Sequence, residues 1–276
     1  MNTNDIREHL LSNAPWVDRS KTVDTVKAGD ATREVRTVGV GWIASIGNLR
    51  KAVDLGCELF ITHEPTYWHH YDPPDDPIRA VEPGLTKRKF LEETGLVVYR
   101  CHDVWDSWPE IGIGGSWVEW LGLADGAVKG DDPWHTLCKI KPVTLREFAR
   151  RMAEKIAPLG EDSVSVIGDP ERIVSRPAVG VGYGGPDKDM VDLGADVLVV
   201  CYDGATYWQV RERLAELGAA VICVEHGTSE SPGMINLAKY LHETFLELTT
   251  HYLDEHPETW TVMSKARAAA DAGSDK

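Results

Sequence analysis

The chain has 276 residues, 42% hydrophobic and 26% charged, a globular composition long enough for one large core or two smaller ones. Its 29 basic and 44 acidic side chains leave a net charge of −15, which argues against a nucleic-acid backbone as partner, because that requires concentrated Lys and Arg. No apolar run reaches membrane-spanning length, and the polar start Met1–Arg7 carries no signal peptide, so a cytoplasmic protein is expected.

Asn4 to Asn13 reads as a short helix with Ile6, Leu10 and Leu11 on one face, followed by a polar, irregular stretch over 15–33. Val35 to Trp42 is a β-branched strand, Ile46 to Leu55 a helix stopped by Gly56, and Cys57 to Thr62 a second strand. This β-α-β order predicts a parallel pair. Residues 66–83 are too rich in Pro and Asp for regular structure. Lys87 to Thr94 reads as a helix ended by Gly95, Leu96 to Cys101 as a strand, and Gly114 to Leu121 as a short helix.

The Gly- and Asp-rich stretch Asp125 to Pro133 marks a boundary, giving segments 1–128, 129–225 and 226–276. Thr136 to Ile140, Val164 to Ile167, Ala178 to Val181, Val197 to Val200 and Ala220 to Val224 read as strands. Thr144 is placed as N-cap of a helix over Leu145 to Ala157, with Glu147 in the capping-box position. Further helices are expected near Asp187 to Leu193 and Ala205 to Leu217, and a long one from Pro232 to about Leu253, before a polar tail from Ser264. Strand and helix alternate twice over, which predicts an α/β protein with two sheets or two lobes.

Three of these strands end alike. Cys57–Thr62 runs into His63 and Glu64, Leu96–Cys101 into His102 with Asp106 four residues on, and Ala220–Val224 into His226 with Glu230 four residues on. The carboxyl edge of an α/β sheet is where ligands bind. Imidazoles with carboxylates suit Zn²⁺, Mn²⁺, Fe or Ni rather than Ca²⁺. Six such side chains exceed the needs of one tetrahedral ion. Two ions sharing carboxylates and a bridging hydroxide would use them all, as in hydrolysis of a phosphoester, an amide or a purine ring.

Gly56-Cys-Glu-Leu-Phe-Ile-Thr-His63-Glu64-Pro65, His102-x-x-x-Asp106 and His226-Gly-Thr-Ser-Glu230-x-Pro-Gly233 together resemble the NIF-three-like family, whose members are described as dinuclear metal centre hexameric proteins or GTP cyclohydrolase type 2 homologues. The likeness extends to V-G-V-G-W-I-A-S at 38–45, T-L-R-E-F-A at 144–149 and R-P-A-V-G-V-G-Y-G-G at 176–185. It implies two α/β lobes with mostly parallel sheets, the second inserted in the first, and two divalent ions in the cleft, with Mg²⁺ added to the candidates. It also implies toroidal hexamers and a small-molecule substrate. His63, Glu64, His102, Asp106, His226 and Glu230 would line the metal site. The chain departs from the family's pattern at three places. Glu64 replaces a second histidine, Val104 replaces an asparagine, and Cys201 to Trp208 contains no histidine. A carboxylate at 64 is a harder ligand and can bridge, which shifts preference toward Mn²⁺, Mg²⁺ or Fe.

Beside the ligands, His69, His70 and Asp103 are candidates for proton transfer or for orienting an imidazole, against the plainer readings of exposed loop residues and a helix cap. Tyr67, Trp68, Trp105 and Trp108 could stack a ring or fill a core. Gly180 to Gly185 lacks phosphate-binding phasing and reads as a tight turn. Cys57, Cys101, Cys138, Cys201 and Cys223 form no C-x-x-C pair and read as reduced core thiols. The alternative to a hydrolase is a non-catalytic metal-binding ring acting as metal chaperone, sensor or interaction scaffold; a nucleotide binder without chemistry is a third reading.

Overall fold

A computed structural model describes residues 1–128, 135–182, 188–205, 208–255 and 260–262. Most of the Asp125–Pro133 boundary, the start of the helix expected near Asp187, the 183–185 part of the glycine run and the tail from Ser264 lie outside the described residues. The strands in chain order are β1 (Val26–Ala28), β2 (Thr37–Gly41), β3 (Leu59–Thr62), β4 (Val97–Arg100), β5 (His135–Leu137), β6 (Val143–Thr144), β7 (Ser165–Ile167), β8 (Ile173–Val174), β9 (Pro177–Gly180), β10 (Val197–Cys201), β11 (Ala220–Val224) and β12 (Thr249–Tyr252).

One sheet has the order β1-β4-β3-β2-β12 and the other β5-β9-β10-β11-β7, with β6 and β8 as a separate pair. In the first sheet β4, β3, β2 and β12 are mutually parallel and β1 is antiparallel to β4. In the second, β9, β10 and β11 are parallel, with antiparallel β5 and β7 at the edges. The second sheet draws only on residues between β4 and β12 of the first, so the second α/β unit is inserted in the first. β3, β4, β10 and β11 are buried along their whole length. Parallel strands covered on both faces have no solvent side, hence the unbroken runs Leu-Phe-Ile and Val-Leu-Val-Val.

The helix Leu145–Ile156 starts as expected, with Thr144 Oγ1 accepting from the Glu147 N–H at 3.2 Å. The C-terminal region differs from the sequence expectation. The long helix spans His226–Thr244, so it begins six residues before Pro232 and ends well before Leu253. Pro232 lies inside it. Thr249–Tyr252, expected as helix, is β12, paired in parallel with β2. Its Thr-Thr-His-Tyr composition favours a strand once an open sheet edge is available. Likewise β1 lies in the stretch read as irregular; its pairing with β4, about seventy residues on, has no local signature.

Gly233 shows how closely the long helix packs. A Cβ there would meet Ile113 Cδ1 at 2.6 Å and Ile113 Cα at 2.8 Å, at the start of helix Ile113–Trp120. Trp105 Nε1 donates to the Gly233 carbonyl at 2.8 Å. One continuous apolar cluster joins Val38, Leu59 and Ile61 of the first sheet, Val197 and Ile222 of the second, and Met234 and Leu237 of this helix. All five cysteines are free and buried.

Candidate metal centre

Because β2, β3 and β4 are parallel, they end on the same edge, and the residues after them meet there. Past β3, the N–H groups of His63 and Glu64 both donate to the Trp42 carbonyl, at 3.1 and 2.8 Å, and Pro65 then stops regular pairing. Past β4, His102 caps the short helix Asp103–Asp106, which carries Asp106 one turn away from it. Past β11, His226 opens the long helix and Glu230 follows at i+4, so both lie on one helix face. The same spacing recurs in both ligand pairs for the same geometric reason.

The turn at His102 is held from a distance. Asp24 is fully buried, and its carboxylate accepts from the backbone N–H of His102 (2.7 Å), Asp103 (3.0 Å) and Val104 (2.8 Å). Nothing in the sequence distinguished Asp24, since it sits in the stretch read as irregular and acts across 78 residues.

All six sequence-predicted ligands converge. His63 Nε2 stands 3.3 Å from Asp106 Oδ1 and 3.5 Å from Glu230 Oε2. His226 Nε2 stands 3.0 Å from Glu230 Oε1 and 3.6 Å from Glu64 Oε1. His102 Nδ1 stands 3.1 Å from Asp106 Oδ2. Three sets bring their donor atoms within 4.8 Å of one another: His63, Glu64 and His102; Glu64, His226 and Glu230; and His102, Asp103 and Asp106. Glu64 belongs to two sets, and Glu230 reaches His63 with one oxygen and His226 with the other.

The imidazoles are oriented from behind. His63 Nδ1 faces the Cys101 carbonyl at 3.2 Å, and His226 Nδ1 faces Asp203 Oδ2 at 3.3 Å. In contrast, Nε2 of His63 and of His226 is buried without a hydrogen-bond partner, though carboxylate oxygens crowd around each. Buried polar atoms are almost always hydrogen-bonded, so two such atoms aimed at one cluster of carboxylates suit a shared positive charge, either a metal ion or protons. The residues present therefore fit a divalent metal group. Without an ion, protons take its place. Burial works against charge on His63, but Glu230 and Asp106 outweigh it and hold the imidazole well above its ordinary value. Burial is likewise outweighed at His226, first by Glu230, and its pKa rises to about 9. Glu230 falls below the usual carboxylate range, where His63 and His226 overcome its burial.

Three residues complete the site that sequence reasoning did not assign to it. Trp42 Nε1 donates to Glu230 Oε2 at 2.6 Å, and its ring lies so close over Gly227 that a Cβ there would meet it at 2.7 Å. Asp203 lies just past β10, in the one-turn helix Tyr202–Ala205. Gly182, with φ +59°, brings its backbone against the cluster; a Cβ would lie 2.4 Å from Glu230 Oε1 and 3.3 Å from His226 Nε2. Gly182 is thus a wall of the site. The sequence shows only a glycine in a glycine-rich stretch; that its φ is positive and which residues it faces are read from the structure.

A cavity of about 260 Å³ opens onto Glu64 and His226 and is lined by Trp42, Trp68 and His70. His69 is exposed, its ring 6.1 Å from that of Tyr71, and does not line this cavity. His70 does, edge-on to His102 at 5.6 Å. Asp103 Oδ1 lies 3.1 Å from His102 Nδ1, and its carboxyl sits below the usual range; burial opposes this, but hydrogen bonds from His102 and Thr22 prevail. Trp105 and Trp108 meet Tyr240 at tilted and edge-on angles against the core and do not line the cavity. Tyr67 is buried beneath the Arg79 guanidinium.

Solved structures share this fold. A Bacillus cereus protein related to NIF3 superposes with a TM-score of 0.78 at 15% identity, covering 95% of this chain and 99% of that one. The Staphylococcus aureus hypothetical protein SA1388 gives 0.77 at 16%, with 95% and 99% covered. The protein ybgI, of unknown function, gives 0.75 at 21%, with 94% and 100% covered. No curated protein matches the sequence. Residues 1–258 match the Duf34/NIF3 (NGG1p interacting factor 3) family, and the chain belongs to it.

Proposed function

We propose that this protein is a metal-dependent hydrolase whose two-ion centre is held by His63, Glu64, His102, Asp106, His226 and Glu230. The observation that carries this reading is the pair of buried, unpartnered Nε2 atoms of His63 and His226 facing shared carboxylates. Divalent ions at such a cluster supply water activation near neutral pH and polarise a substrate oxygen. The chain's own residues do the rest. Glu230 spans both sides of the cluster and is fixed by Trp42. Asp203 and the Cys101 carbonyl keep the two Nε2 lone pairs pointed inward. His70, on the cavity wall, is placed to take or return a proton as substrate reacts. The cavity volume suits a small molecule rather than a polymer.

The test is a hydrolase substrate panel of phosphoesters, amides and purine nucleotides, run on wild type and Glu230→Ala with metals counted in both. Turnover that needs added Mn²⁺ or Zn²⁺ and disappears in Glu230→Ala is expected. Firm metal binding without turnover on any substrate would favour the chaperone, sensor or scaffold role. Absence of divalent metal from protein purified without chelator, with no rise in Tm on adding Mn²⁺ or Zn²⁺, would overturn the metal reading itself.

A further inference from the structure

A second cavity, of about 300 Å³, shares no lining residue with the one at the metal cluster. The short helical turn Pro77–Ala80 contributes Arg79 to it, and the helix Gly84–Thr94 contributes Arg88, Leu91 and Glu92. Gly95, at φ +66°, adds bare backbone. A Cβ there would meet only Arg33 Nη1, at 3.4 Å, and that guanidinium donates to the Gly95 carbonyl at 3.3 Å. In a chain with a net charge of −15, three guanidinia thus gather around one lining carboxylate. Arg88 is engaged: its Nη1 lies 3.2 Å from Glu92 Oε1, and its Nε donates to the Arg79 carbonyl at 3.2 Å. The Arg79 guanidinium has no carboxylate within ion-pair distance among the described residues and rests on the Tyr67 ring, 4.2 Å from its centroid.

Tyr67 lines the same cavity. The residue is fully buried, and its hydroxyl has no hydrogen-bond partner. Burial raises its pKa, Arg79 and Arg88 oppose the rise, and Asp72 and Glu92 add to it. Three of these four charged groups line the cavity, so the hydroxyl lies on that side. The fourth, Asp72, already accepts the Thr66 N–H at 2.9 Å. Buried polar atoms are almost always hydrogen-bonded. An O–H without an acceptor beside a guanidinium without a carboxylate lacks one thing, an oxygen that carries negative charge.

We propose that this cavity binds a small phosphate monoester, with Arg79 and Arg88 on its charged head, the Tyr67 hydroxyl donating to one of the head's oxygens, and Leu91 against its organic part. Three separate donors match the three acceptor oxygens of a phosphate ester, whereas one guanidinium already satisfies a carboxylate. Arg79 is the part that moves. No carboxylate holds it, so an anion draws it from the face of Tyr67 and uncovers the hydroxyl beneath. Arg88 turns from an exposed pair with Glu92 that contributes little. The volume lies at the lower end for small-molecule sites and leaves no room for a polymer. The site stands apart from the metal reading and does not depend on it.

The full chain is kept metal-free in chelator, so that no ion can hold the probe, and glycerol phosphate is titrated in and followed by phosphorus NMR. Wild type is expected to bind with a Kd of about 0.1–1 mM, and Arg79→Gln and Tyr67→Phe each to weaken this by about tenfold. Arg151→Gln, whose guanidinium pairs with Glu147 elsewhere on the surface, should leave it unchanged. Succinate, followed by its proton signals, should bind at least about fivefold more weakly. No binding by wild type up to about 10 mM, or binding that neither Arg79→Gln nor Tyr67→Phe weakens, would overturn the inference. Equal weakening in Arg151→Gln would reveal a general charge effect and also overturn it, and succinate bound as tightly as glycerol phosphate would overturn the choice of phosphate. Tyr67→Phe keeps the ring under Arg79, and Arg79 is only partly buried, so both variants should fold. If circular dichroism shows that one does not, the other decides.

Discussion

Asp24 offers the sharpest check on how this centre is built. Replacing it with alanine removes a buried carboxylate that accepts three backbone N–H groups, those of His102, Asp103 and Val104. A buried donor left unpaired costs about 1–3 kcal/mol, and hydrogen bonds to a charged acceptor lie toward the upper end. His102 and Asp103 are only partly buried, so water can reach them, whereas Val104 is buried. Relief from burying the Asp24 charge offsets part of the loss. The net destabilisation expected for Asp24→Ala is about 3 kcal/mol, and for Asp24→Asn, which keeps one acceptor oxygen, about 1–2 kcal/mol. Urea melts in excess chelator measure this without a contribution from bound metal. The second effect is local. His102 and Asp106 lose their fixed positions, so Mn²⁺ affinity should fall by about 10–100-fold even in Asp24→Asn, as for other residues that orient metal ligands. Retention of both stability and metal affinity in Asp24→Ala would refute the view that this aspartate sets the turn.

Gly182→Ala puts a methyl group 2.4 Å from Glu230 Oε1 at a φ of +59°; it should sharply reduce metal binding, measured by metal count, while Asp24-dependent folding is kept. Trp42→Phe preserves the contact with Gly227 but removes the donor to Glu230 Oε2; a loss of about 1.5–3 kcal/mol in chelator is expected, and less than about 0.5 kcal/mol would mean the bond is incidental. Burial lowers Lys87 from 10.5 to about 8 as it reaches the Thr66 carbonyl at 2.6 Å, so the unfolded chain binds this proton more tightly. Folding thus bears the full penalty below about pH 8, and wild type should gain about 2 kcal/mol relative to Lys87→Met between about pH 8 and 10, read from paired urea midpoints. A difference that does not change with pH across that window would contradict the burial of a charged amine there.

Much of this cluster was legible in the sequence because each candidate ligand is announced locally. A buried parallel strand must end where its apolar run ends, and His63, His102 and His226 stand just past such ends. Helical geometry then places Asp106 and Glu230 one turn beyond their histidines, so the repeated spacing of four already encodes a shared face. The resemblance to a known family rested on the same residues, and the fold agreed with it.

What the sequence could not supply are relations between distant segments. Asp24, Trp42, Gly182 and Asp203 reach the site by tertiary packing, across separations that no periodicity records. The same holds for β1 and β12, short strands whose identity depends on an open edge of β4 or β2 rather than on propensity. It holds most clearly for Glu64. In the sequence it is an acid following a histidine at a strand end. Only the folded chain sets the Arg100 guanidinium 3.8 Å behind it, because β3 and β4 run side by side and bring Thr62 level with Arg100. Local physics set the candidate ligands; the pairing of two strands decided which of them faces a buried guanidinium.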